Sequence, residues 1–98
     1  MKIRAKNGEQ TVDITLPATD MDIQYCMKCI GIEDIVPVCC ISEVRDEPSY
    51  FGFLKGQTVN MDELNFFARR LDGMTEYEKR VVGVYSSETG MREMKQLI

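Results

Sequence analysis

Residues 1–16, MKIRAKNGEQTVDITL, carry the strongest structural signal in the chain. Two runs of alternating apolar and polar residues flank Asn7-Gly8, a dipeptide suited to the two central positions of a type I′ turn. The pattern therefore predicts a β-hairpin with apolar residues on one face and opposite charges paired across the other. The expected partners are Met1 with Ile14, Lys2 with Asp13, Ile3 with Val12, and Lys6 with Glu9.

A short amphipathic helix is predicted directly after the hairpin. Thr19 and Asp22 have the spacing of a capping box, and apolar residues recur at helical spacing from about residue 20 to residue 30. Gly31 then ends the helix, because glycine readily adopts the left-handed conformation found after helix C-termini. Farther on, the composition predicts strands at residues 36–44 and 50–54, joined by a polar turn at residues 45–49.

Helical signals dominate the second half of the chain. Asn60 with Glu63 and Thr75 with Glu78 are two N-terminal capping pairs, and Gly73 lies just past the first of these helices. A third apolar stripe begins near the end of the chain, at Met91, Met94, Leu97 and Ile98. We therefore predict one α+β domain over residues 1–98. Residues 1–55 form a small antiparallel sheet with one covering helix, and residues 56–98 form a helical bundle with short loops.

The charge of the chain is negative and unevenly distributed. With 12 basic and 16 acidic residues, the net charge is −4, which disfavours direct binding to nucleic-acid phosphates. Nine acidic residues lie between Glu9 and Glu47, where Lys28 and Arg45 are the only bases, so this segment carries −7. Such a segment is either a solvated surface that favours solubility or a face that binds a basic partner.

Histidine is absent, and with it the usual general base, the histidine-assisted nucleophiles and the commonest metal ligand. No phosphate-binding glycine loop or nucleophile elbow is present. We therefore predict a binding protein rather than an enzyme, with no catalytic residues and no cofactor. Cys26-x-x-Cys29 and Cys39-Cys40 are interpreted mainly as core thiols, so no metal site is predicted, although zinc binding and a redox dithiol are alternatives.

Residues 1–20 lack the apolar run of a secretory signal, and no stretch approaches the 18–20 or so apolar residues of a membrane span. This pattern predicts a cytoplasmic protein with no membrane partner, in which the four cysteines remain reduced.

Three segments resemble a known family. Residues 62–72, DELNFFARRLD, resemble the "LN-x-LA-x-RL" helix of ArdA-type antirestriction proteins. Residues 94–98, MKQLI, resemble the "MKDLIN" helix of Firmicute mobile-element relatives of that family, and residues 15–19, TLPAT, precede an acidic helix as they do in those relatives. The resemblance implies a protein of plasmids or conjugative transposons. Such a protein occupies the DNA-binding groove of type I restriction-modification enzymes by presenting carboxylates in place of phosphates.

Charge clustering, rather than the family match, selects the residues expected to contact such a partner. An acidic rigid surface would be steered towards a groove lined by lysine and arginine. The alternative function is a regulatory or assembly module that acts through protein–protein contacts, as a homodimer or as part of a longer chain. The predicted partner-binding residues are Asp20, Asp22, Glu33, Asp34, Glu43, Asp46 and Glu47.

Overall fold

A computed structural model describes residues 1–45 and 51–89 of the chain. The first half contains strands β1 (Lys2–Asn7) and β2 (Gln10–Thr15), helix α1 (Asp20–Cys29) and strand β3 (Val38–Val44). A 3₁₀ turn (Gly52–Leu54), strand β4 (Thr58–Asn60), helix α2 (Met61–Asp72) and helix α3 (Glu76–Thr89) follow. The strands form one antiparallel sheet in the order β2-β1-β3-β4. The predicted α+β class is therefore confirmed.

One hydrophobic core joins the inner face of the sheet to helices α1 and α2. The alternation along the strands turns Ile3, Ala5 and Ile41 inwards, where each is at most 1% exposed. The helices contribute residues at helical spacing to the same core, among them Met27 from α1 and Phe67 from α2.

The hairpin is confirmed, but its predicted register is wrong by two residues. Ile3 pairs with Ile14, and the two turn residues are Gly8 and Glu9. Gly8 has a φ of 64° while no described non-glycine residue has a positive φ, which suits a type II′ turn rather than type I′. Asn7 remains in β1, where its side-chain amide donates to the Ile30 carbonyl at 2.7 Å. A shift of two preserves the face of every side chain, so the predicted inward and outward faces are correct.

The predicted strand at residues 50–54 is also wrong, because residues 52–54 form a 3₁₀ turn. Phe51 and Leu54 are both buried, a spacing of three that aligns side chains in a 3₁₀ turn but separates them in a strand. The fourth strand, β4, has only three residues, which is too short for an alternating pattern to reveal. It leads directly into α2.

The predicted helix N-termini are confirmed. The Thr19 hydroxyl accepts from the backbone N–H of Asp22 at 3.1 Å, and the Asn60 side chain accepts two N–H groups of the first turn of α2. Thr75 and Glu78 form a reciprocal capping box, with both hydrogen bonds at 3.2 Å. The predicted turn at residues 45–49 beyond Arg45 and the apolar stripe at residues 91–98 lie outside the described residues.

Candidate functional site: an acidic groove

A groove lies between α1, the loop that follows it, and the start of α2. The loop turns back along α1 because Gly31 adopts a φ of 80° and the Ile32 N–H donates to the Met27 carbonyl at 2.8 Å. At its far end, the Met61 N–H donates to the Pro37 carbonyl at 2.9 Å, which fastens the loop to the first residue of α2. The three elements therefore form one continuous concave surface.

The groove has a volume of about 520 Å³ and an apolar floor. The floor residues are Ile23, Met27, Ile32 and Pro37. Ile35 lies at the rim with 97% of its surface exposed, although isoleucine is usually among the most buried residue types.

Carboxylates dominate the charge of the rim. Those of Asp20, Glu33, Asp34 and Asp62 line the groove, against a single ammonium group, that of Lys28. Asp20 lies 3.8 Å from the guanidinium of Arg69 on α2. Within residues 1–45 and 51–89, the other three rim carboxylates have no ion-pair partner. The groove therefore carries excess negative charge that is open to solvent.

The structure brings three of the predicted partner-binding residues together at this groove: Asp20, Glu33 and Asp34. Asp22 is exposed, but it follows Asp20 by two residues and so projects from a different side of α1. Asp62 was not predicted, because in sequence it lies far from the acidic segment and only the packing of α2 brings it to the rim. Asp46 and Glu47 lie outside the described residues.

Glu43 lies apart from the groove, in an ion-pair network on the outer face of the sheet. Arg4 pairs with Asp13 at 2.8 Å, and Arg45 pairs with Glu43 at 3.0 Å. Longer contacts of 3.5–3.8 Å link the two pairs. The hydrogen bond from Arg4 lowers the pKa of Asp13 below its usual value. Nearby arginines therefore largely offset the Glu43 charge.

The four cysteines are free thiols with unequal exposure. Cys39 is buried, Cys26 and Cys40 are half-buried, and Cys29 is exposed, so the interpretation as core residues fits Cys39 best. In the part of the chain that the structure describes, no group of three histidine, cysteine or acidic residues is arranged to hold a metal ion.

The cysteines are expected to react with iodoacetamide at very different rates. Burial raises the pKa of Cys39 to about 11, so at pH 8 only roughly one Cys39 in a thousand is a thiolate. Mass spectrometry of the folded protein should show Cys29 modified first and Cys39 last. In concentrated urea the rates should converge, whereas equal rates in the folded protein would contradict the placement of Cys39 in the core.

The raised pKa of Cys39 also predicts how stability depends on pH. The folded state holds the thiol proton more tightly than the unfolded state, whose pKa is near 9. The protonated Cys39 thiol therefore contributes to the free energy of unfolding. This contribution is fully present below about pH 9 and is lost as the pH rises towards about 11.

No family model, no curated protein and no solved structure matches this chain. Its class is therefore defined by the fold and the site: a small α+β domain with an acidic groove. Of the helices that the structure describes, none is both long enough and apolar enough to cross a membrane.

Proposed function

We propose that this protein is a non-enzymatic binding module that uses the carboxylates of the groove to hold a basic surface of a protein partner. One observation carries the proposal: Glu33, Asp34 and Asp62 converge on one concave surface without ion-pair partners among the described residues. Charges arranged in this way accelerate association with a positive surface and orient the partner. The net charge of −4 disfavours nucleic acid as the partner, because its phosphates would be repelled.

The ArdA-type resemblance supports a particular form of this proposal. In that form the partner is a type I restriction-modification enzyme, and the protein inhibits restriction by occupying the basic groove that otherwise binds DNA. Helix α2, which carries the most extensive sequence resemblance, supplies the rim residue Asp62. In this form of the proposal, the same groove carboxylates would contact the basic groove of the enzyme.

The direct test is cleavage of unmodified plasmid by a purified type I restriction enzyme across a titration of this protein. We expect inhibition at about 50 mM salt that weakens at about 200 mM, because added salt screens exposed charges. The variant D20N/E33Q/D34N/D62N, which neutralises the four carboxylates of the groove, should inhibit roughly 10-fold less well, since each exposed charge pair contributes about 0.2–1 kcal/mol.

The control is E9Q/D72N, which neutralises two exposed carboxylates that do not line the groove and should inhibit like the unmodified protein. Circular dichroism should show that both variants are folded. Unchanged inhibition by the fourfold variant would exclude the acidic surface as the binding site. If the unmodified protein in large excess does not inhibit cleavage, the antirestriction function is wrong.

Self-association is a second candidate function, favoured by an exposed apolar stripe on α3. Tyr77, Val81 and Val84 recur at helical spacing and are 74%, 49% and 55% exposed. An assembly module would bury this stripe against a second copy. Light scattering should then show a dimer, and V81E should weaken it; a monomer at high concentration would contradict this function.

A further inference from the structure

We propose that the groove is a cleft for a short segment of the partner protein that carries one apolar side chain between basic residues. This inference rests on the proposed function and specifies what the surface recognises. The groove has a volume of about 520 Å³, which falls within the range of small-molecule binding sites. The occupant must therefore be a few residues of chain rather than the broad face of a folded domain.

The exposed Ile35 beside the groove indicates that the segment carries an apolar side chain. The floor is already buried in the core, with Met27 and Ile32 only 2% and 7% exposed, so the apolar surface open to an occupant is mainly that of Ile35. A leucine or isoleucine side chain placed over the floor would cover the exposed Ile35 and would itself be removed from water. The occupant would thus bury apolar surface on itself and on the rim.

The rim indicates that basic residues flank this apolar side chain. The two unpaired loop carboxylates, Glu33 and Asp34, lie on one wall, and Asp62 lies on the wall formed by α2. A central apolar side chain therefore has carboxylates available on two sides. Lys28 on α1 would repel a basic residue of the segment placed near it. The segment would therefore lie with its basic residues towards the carboxylates and away from Lys28.

The test uses the full chain and a fluorescein-labelled peptide in which one leucine lies between two pairs of arginines, with binding followed by fluorescence polarisation. We expect saturable binding that weakens with salt. Replacing the leucine of the peptide by serine should weaken binding roughly 10-fold, because serine buries less apolar surface of its own and covers less of Ile35. Replacing the arginines by glutamine should weaken binding and remove most of the salt dependence.

Two matched variants localise the binding. E33Q/D34N should weaken binding roughly 5-fold, whereas E9Q/D72N makes the same change of charge at residues that do not line the groove and should bind within about 2-fold of the unmodified protein. I35S removes an exposed apolar side chain without disturbing the core and should weaken binding roughly 3-fold.

Three outcomes would overturn the inference. The first is equal affinity for the leucine and serine peptides, which leaves a purely electrostatic surface and does not affect the proposed function. The second is no peptide binding at protein concentrations up to about 1 mM, even where the protein inhibits restriction. The third is self-association of the protein that E33Q/D34N abolishes, because the groove would then hold a second copy.

Discussion

F67A is expected to lower the free energy of unfolding by about 3–5 kcal/mol, which is the usual loss when a buried phenylalanine is truncated. Phe67 is 2% exposed and packs edge-to-face against Phe51, with ring centroids 5.6 Å apart. The substitution removes this aromatic contact and leaves a cavity between α2 and the 3₁₀ turn. For a domain of this length, whose total stability is about 5–15 kcal/mol, the loss is a large fraction. Urea denaturation followed by circular dichroism would measure it.

The neighbouring residue provides a matched control. F66A makes the same substitution one position earlier on α2, where the side chain is 54% exposed, and should change stability by less than about 1 kcal/mol. Comparable losses in the two variants would contradict the assignment of Phe67 to the core and Phe66 to the surface.

N65A is expected to lower the free energy of unfolding by about 1–3 kcal/mol, although it removes only a small polar group. Asn65 is the one buried polar side chain among the residues with described burial. Its side-chain oxygen accepts from the Ala18 N–H at 2.8 Å, and its amide donates to the Ala18 carbonyl at 2.9 Å. Alanine would leave that N–H without this partner, whereas the carbonyl would retain a bond from Arg69 at 2.9 Å.

The two hydrogen bonds between Asn65 and Ala18, which form a bridge from α2 to the start of α1, also affect the groove, because Ala18 immediately precedes the N-cap of α1. N65A should therefore weaken peptide binding by loosening α1 against α2, in addition to lowering the denaturation midpoint. Q24A removes an exposed amide from α1 and is the control for stability, with an expected change within about 0.5 kcal/mol. Equal stability of N65A and Q24A would show that the bridge contributes little.

Local patterns were sufficient to predict most of the fold. The three helix starts depend on contacts within a few residues: Thr19, Asn60 and Thr75 each bond to N–H groups two or three positions along the chain. The hairpin and the α+β class follow from the turn dipeptide and the apolar periodicity of each element. Such short-range preferences are visible in sequence because the interacting groups are close in the chain.

The details that depend on distant contacts could not be predicted in this way. Asn7-Gly8 suits the centre of a turn by local preference, but the Asn7 amide instead bonds to Ile30, 23 residues away. Phe51 and Leu54 are buried together against a core that includes α2, so residues 52–54 form a 3₁₀ turn rather than a strand. In each case a tertiary contact outweighs a modest local preference.

The candidate site likewise combines features that the sequence predicts with features that only tertiary packing produces. Composition alone established the acidic segment between residues 9 and 47 and identified Asp20, Glu33 and Asp34 as candidate contacts. Tertiary packing separated Glu43, which lies among arginines on the sheet, and brought Asp62 from α2 to the groove. The physical reason is that charge is a property of each residue, whereas a concave surface exists only once α1, its following loop and α2 have packed together.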